Sequence, residues 1–149
     1  MKKILILSII LIVNCGKDSP IAPDTYIISD LVGIWEKISL VSITTENGQG
    51  GETLTWTPDS NNSETITIYN DGSFTSIRFD EGVEDNGSGQ FILDGSNITV
   101  TFDELEANGT ISITNNIMVL NLLGIILGTG ENGDGNWEVE LTMIYEKVN

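Results

Sequence analysis

Histidine is absent from this 149-residue chain, and cysteine occurs once, at position 15. The first absence removes histidine-dependent nucleophilic triads, imidazole metal sites and the usual general base at neutral pH. The second leaves no internal disulfide, so the fold must rest on its buried core. Basic residues are also scarce: six Lys and Arg stand against 22 Asp and Glu, a formal net charge of −16. That balance repels nucleic acid and anionic lipid surfaces. What remains of familiar hydrolase chemistry is a pair of carboxylates, and no spacing singles out one acid and one base. The expectation is a non-enzymatic protein without a cofactor and without nucleic-acid partners.

Long hydrophobic runs are missing too. The apolar stretch from Ile4 to Val13, preceded by Lys2 and Lys3, has the basic n-region and short h-region of a secretory signal. At about 1.5 Å per residue it would cover roughly half of a bilayer's hydrocarbon core, so a retained transmembrane helix is the weaker reading. Ile12-Val13-Asn14-Cys15 resembles the lipobox of bacterial lipoproteins, with Asn14 in place of the usual small residue before the cysteine. The resemblance implies cleavage after residue 14 and lipidation of Cys15. An ordinary buried thiol would have to fall by chance at the end of an h-region. Gly16-Lys17-Asp18-Ser19 resembles the export signal that follows the cysteine in surface-exposed lipoproteins of Bacteroidetes. Residues 16 to 30, with Pro20, Pro23 and small polar neighbours, read as a tether. The expected organisation is a signal peptide over 1–14, a lipidated tether over 15–30 and one folded domain over 31–149.

From Gly33 onward, short stretches rich in Ile, Val, Thr and aromatics alternate with Asn, Asp and Gly clusters, and no helical period competes. Eight strands are predicted, over 33–43, 64–70, 73–80, 87–93, 96–102, 108–114, 117–123 and 136–148. In the last, Trp137, Val139, Leu141, Met143 and Tyr145 share one face. Asn70-Asp71-Gly72, Asp94-Gly95 and Asn115-Asn116 carry the residues that tolerate the positive φ of tight hairpin turns. Eight antiparallel strands in simple succession remove both sheet edges by closing, which favours an all-β, up-and-down barrel over a sandwich.

Leu31, Gly33 and Trp35 form an L-x-G-x-W signature at the start of the first strand. Tyr69-Asn70-Asp71-Gly72-Ser73-Phe74 and Gly89-Gln90-Phe91-Ile92 with Asp94-Gly95-Ser96-Asn97-Ile98 follow as two hairpins. Over residues 31–148 this order resembles the lipocalin-like domains of short bacterial lipoproteins. The resemblance implies that Trp35 packs across the closed end of the barrel. Lipocalins often lay an arginine from the final strand over that tryptophan, and here Lys147 stands instead. A lysine cannot stack and fork as arginine does.

In such a barrel the short turns share one end. The connections 44–63, 81–86, 103–107 and 124–135 share the other, which is the mouth and faces away from the tether. Glu46, Glu52, Asp59, Asp80, Glu81, Glu84, Asp85, Asp103, Glu104, Glu106, Glu131 and Asp134 would make that mouth acidic, as a solubilising rim or one that disfavours anionic ligands. Glu131-Asn132-Gly133-Asp134-Gly135-Asn136 lacks the alternating acids and distal glutamate of a calcium loop and reads as a turn, so no metal is expected. Period-two alternation points Trp35, Phe74, Arg78, Gln90, Ile92, Val100, Phe102, Leu141 and Tyr145 inward, and all of these but Val100 are candidate ligand-binding residues, though a bulge would flip any strand's parity. Trp56 and the apolar run Leu122 to Leu127 are either lids or packing. The leading expectation is an outer-membrane or surface lipoprotein of the cell envelope, tethered through the lipid on Cys15, whose barrel binds a small apolar or amphipathic molecule. The alternative is a fully packed barrel that docks a larger envelope assembly.

Overall fold

The computed structural model describes residues 25–46, 49, 51–102, 105–128 and 135–148, and for 46, 125–128 and 135–137 the backbone alone. The expected signal peptide, Cys15 and most of the expected tether lie outside these residues, as do Asp103, Glu104, Glu131 and Asp134.

Among the described residues the chain forms one short helix, α1 (Ile28–Leu31), and nine strands. These are β1 (Gly33–Glu46), β2 (Thr53–Trp56), β3 (Ser63–Ile68), β4 (Ser73–Asp80), β5 (Val83–Asp94), β6 (Asn97–Phe102), β7 (Leu105–Thr114), β8 (Ile117–Gly128) and β9 (Gly135–Lys147). From β3 to β9 each strand pairs antiparallel with the next, and β1 pairs with both β3 and β9. The result is the expected closed, eight-stranded, up-and-down barrel, in which every interior strand edge is satisfied.

The ninth strand was not anticipated. Trp35 pairs with Ile66 of β3 on one side and Lys147 of β9 on the other, whereas Leu40 pairs with Trp56 of β2 and Met143 of β9. β2 and β3 therefore share one edge of β1, end to end, and residues expected as loop 44–63 supply the missing upper half of a wall. Between the two pairings, β1 carries an irregularity at Lys37/Ser39. The bulge switches the inward set from Trp35 and Lys37 to Leu40.

The tight turns fall where the sequence places them, with φ positive at Gly72, Gly95, Asn115 and Asn116. Asp71 fastens the first of these by accepting from the Ser73 backbone N–H at 3.0 Å and its hydroxyl at 2.6 Å. At the opposite end, the connections are shorter than expected. β4 and β5 are joined by Glu81 and Gly82 alone, both at positive φ, and β8 and β9 remain paired up to Gly128↔Gly135. Glu84, Asp85 and Asn86 disfavour strands intrinsically, yet pairing to Phe79, Arg78 and Ile77 holds them in β5. The mouth is thus walled by strand ends. Its rim is stapled where the Glu81 N–H donates to Asn62 Oδ1 and the Gly82 N–H to the Asn61 carbonyl.

The core fills the closed half, where Leu31, Trp35, Ile68, Ile98, Met118 and Leu120 are essentially inaccessible to solvent. Folded structure also reaches back before Leu31, into the expected tether. Tyr26 and Ile28 pack against the core, the Tyr26 N–H donates to the Gly95 carbonyl, and the Ile113 N–H donates to the Tyr26 hydroxyl at 3.1 Å. Asp30 accepts from the Ile27 N–H at 2.9 Å, which winds the single helical turn across the base.

Candidate functional site

Each residue of the L-x-G-x-W signature has a physical task at the closed end. The Leu31 side chain is fully buried and its carbonyl accepts the Trp35 indole N–H at 2.7 Å, satisfying the one polar group of a tryptophan that is itself fully buried. Gly33 sits at φ +137°, where a Cβ would lie 2.9 Å from Lys147 Cε. The glycine lets Lys147 cross the base, and its ammonium rests 5.1 Å from the centroid of the Trp35 ring. The lysine supplies the cation over the tryptophan, without the planar stacking an arginine would add.

Above this plug lies a cavity of about 420 Å³ open toward the mouth, within the size range of small-molecule sites. Its wall is mostly apolar, with Phe74, Phe91 and Phe102 forming a stack at centroid separations of 4.6 and 6.1 Å from Phe74. Val100, Leu120, Leu122, Leu141 and Met143 continue the lining. The rings fit because β5 turns Gly87 and Gly89 inward. A Cβ on Gly87 would strike the Phe102 ring, and one on Gly89 would strike Phe74 and the Thr101 carbonyl.

Of the candidate ligand-binding residues, Phe74, Arg78, Phe102, Leu141 and Tyr145 line this cavity, as does Val100, while Trp35 lies beneath it in the plug. Gln90 and Ile92 do not. Ile92 is 58% exposed on the outer face, and Gln90 Nε2 donates to the Asp71 carbonyl at 2.7 Å, bracing the β3–β4 turn from outside. The correction concerns parity. Phe91, Ile92 and Leu93 are consecutive apolar residues, and the inward positions before them are glycines, which carry no hydrophobic signal. Stacking of Phe91 on Phe74 selects the odd-numbered face.

Two charged residues that alternation did not single out are the most buried charged groups of the wall. Lys37 Nζ lies 2.5 Å from Glu64 Oε2, and the Tyr145 hydroxyl donates to Glu64 Oε1 at 3.0 Å. Lys37 also stands 5.6 Å from the Tyr145 ring centroid and 5.7 Å from that of Trp56. Trp56 thus lies beside this cluster at the junction of β2 with β1, and the ion pair bridges the seam where β3 gives way to β2. Burial pushes the Lys37 ammonium below the ordinary lysine range, with Glu64 opposing the shift. Burial, reinforced by the Glu64 carboxylate, pushes the Tyr145 phenol well above its ordinary value. The sequence signal was present: Lys37 follows Trp35 by two residues, on the same buried parity.

Nearer the mouth the wall becomes charged, with Arg78, Asp85 and Glu106. Arg78 is tied to Asp80 at 2.6 Å in an exposed ion pair, of small energetic weight. Among the described residues no group of three or more acidic, Cys or His side chains is placed to hold a metal ion. No protein-family model matches the chain, and no curated protein matches it in sequence.

Proposed function

We propose that this chain is a lipid-anchored lipoprotein of the bacterial cell envelope whose lipocalin-like barrel holds a small apolar or amphipathic molecule. The observation that carries the reading is the apolar cavity of about 420 Å³, sealed below by Trp35 and open at the end opposite the N-terminal segment. A barrel serving only as a docking block gains from filling its interior, because each unfilled volume forfeits packing. A concave, mostly apolar and aromatic-lined space with a small number of placed polar groups is the usual form of a ligand site. Because residues 25–31 cross the closed end, a lipid on Cys15 would hold that end toward the membrane and turn the mouth to the surroundings.

The test is native mass spectrometry of the full chain taken gently from an expressing cell envelope. It is paired with membrane fractionation of the same chain carrying Cys15→Ser. A small molecule that co-purifies in stoichiometric amount, and a shift of the Cys15→Ser protein from the membrane to the soluble fraction, are expected. An empty barrel that also fails to bind a hydrophobic dye would overturn the carrier reading, and unchanged membrane association of the variant would overturn the anchor.

A further inference from the structure

We propose that the ligand is an uncharged amphipath, an apolar chain or ring system ending in a hydroxyl, and that Lys37 and Glu64 together grip that polar end. The proposal rests on the carrier reading above and adds the chemical class and orientation of what is carried.

Below the charged mouth, the buried charges of the inner wall are one pair. Lys37 follows Trp35 by two residues on the inward face of β1, and besides Ser76, Arg78 and the acids near the mouth the cavity it shares with Glu64 is lined by apolar side chains that include Phe74, Phe91, Leu120 and Leu141. A wholly apolar guest would leave this pair facing hydrocarbon, whereas an amphipath inserted head first would meet it. An ammonium has three donor hydrogens and a carboxylate about four acceptor positions. Their contact with each other, together with the Tyr145 hydrogen bond, uses only some of these. The pair therefore offers a donor and an acceptor side by side, which is the complement of a hydroxyl.

Charge decides against the alternatives. The pair is neutral as a unit, so a carboxylate head would bind Lys37 only by standing against Glu64, after passing Asp85, Glu106 and an Arg78 guanidinium already paired with Asp80. An ammonium head would meet Glu64 only beside Lys37 and Arg78. Either would have to separate a buried ion pair, which is costly where the surroundings screen poorly. A hydroxyl donates to Glu64 and accepts from Lys37 with the ion pair left intact.

The experiment displaces a hydrophobic dye from the full-length chain carrying Cys15→Ser, so that no acyl chain attached there competes for the cavity. The competitors are decanol, decanoate and decylammonium at neutral pH. Decanol is expected to displace the dye at a concentration roughly tenfold below either charged analogue, the effect of about one well-made hydrogen bond. In the double variant Lys37→Met/Glu64→Leu, which replaces the pair by apolar side chains of similar length, decanol affinity should fall by a similar factor. Equal or tighter binding of decanoate or decylammonium overturns the proposal, as does undiminished decanol affinity in a folded double variant. Where the variant does not fold, the order among the three competitors in the chain that retains the pair still suffices to overturn the proposal. Failure of all three to displace the dye overturns the carrier reading itself, and this one with it.

Discussion

Tyr145 is held by burial and by its donation to Glu64, and its phenol titrates well above the ordinary value of 10.0. The folded protein therefore keeps a proton that the unfolded chain releases, and the stability this contributes is fully present below pH 10.0 and lost as pH rises beyond it. Lys37 works with the opposite sign, because its folded-state value lies below 10.5 and the unfolded chain holds the proton longer. The remaining charged neighbours of this cluster are Glu64 on β3 and Arg78 on β4. Tyr145→Phe should lower stability at neutral pH by about 1–2 kcal/mol through loss of a hydrogen bond to a buried carboxylate. It should also flatten the alkaline arm of the stability curve, measured by urea unfolding across pH. A variant whose alkaline arm parallels that of the parent chain would show that the phenol is not what limits alkaline stability. At this scale the sequence was informative about Trp35, Phe74, Phe102 and Tyr145, whose bulk and parity agree. It placed Lys37 on the buried parity of Trp35 but was silent on its pairing with Glu64, because a charged residue on a buried face has meaning only once its partner from another strand is in place.

The β5 strand shows how an element can be shaped by what it lacks. Its inward positions Gly87 and Gly89 have no side chain, and the space is taken by rings from β4 and β6, the strands on either side. Gly87→Val would push the Phe102 ring toward the cavity at a cost of about 1–3 kcal/mol, the usual penalty of overpacking. The expected outcome is a folded barrel with reduced dye capacity in a fluorescence titration. Unchanged capacity with unchanged stability would mean that Phe102 swings out toward the mouth instead. The same strand explains the reversed assignment of Gln90 and Ile92. Alternation is read from hydrophobicity, and two glycines followed by three apolar residues leave the phase undetermined. The β4–β5 turn was hidden for a related reason, since Glu81 is not a residue that ordinarily announces positive φ.

For the molecule as a whole, the N-terminal segment is integral to the fold. Leu31 is fully buried, its carbonyl satisfies the Trp35 indole, and Tyr26 bonds to the β7 strand through Ile113. A chain beginning at Gly33 should lose about 3–5 kcal/mol relative to one beginning at Thr25, from the vacated Leu31 site and the unsatisfied indole. The urea midpoints of the two chains check this. Equal midpoints would show that residues 25–32 rest on the base without supporting it. The acidic residues at the mouth that the structure describes, among them Glu52, Asp59, Glu81 and Glu84, are exposed, as a solubilising rim requires.

The order of strands, the three tight turns, the inward face of β9 and the closure into an up-and-down barrel were determined by local chemistry. Period-two alternation sets a strand's faces, Asn, Asp and Gly permit positive φ, and short connections leave antiparallel neighbours no other partner. Tertiary structure alone decided the rest. β2 exists because β1 outruns β3 and its upper edge needs hydrogen-bond partners. The rim strands extend because paired backbones override poor β-propensity. The Lys37–Glu64 pair forms across the seam this leaves, because two residues 27 apart in the chain meet only when the barrel closes. Whether the interior is filled or hollow belongs to the same class. It depends on how side chains from every strand share one volume, and no stretch of sequence holds that sum.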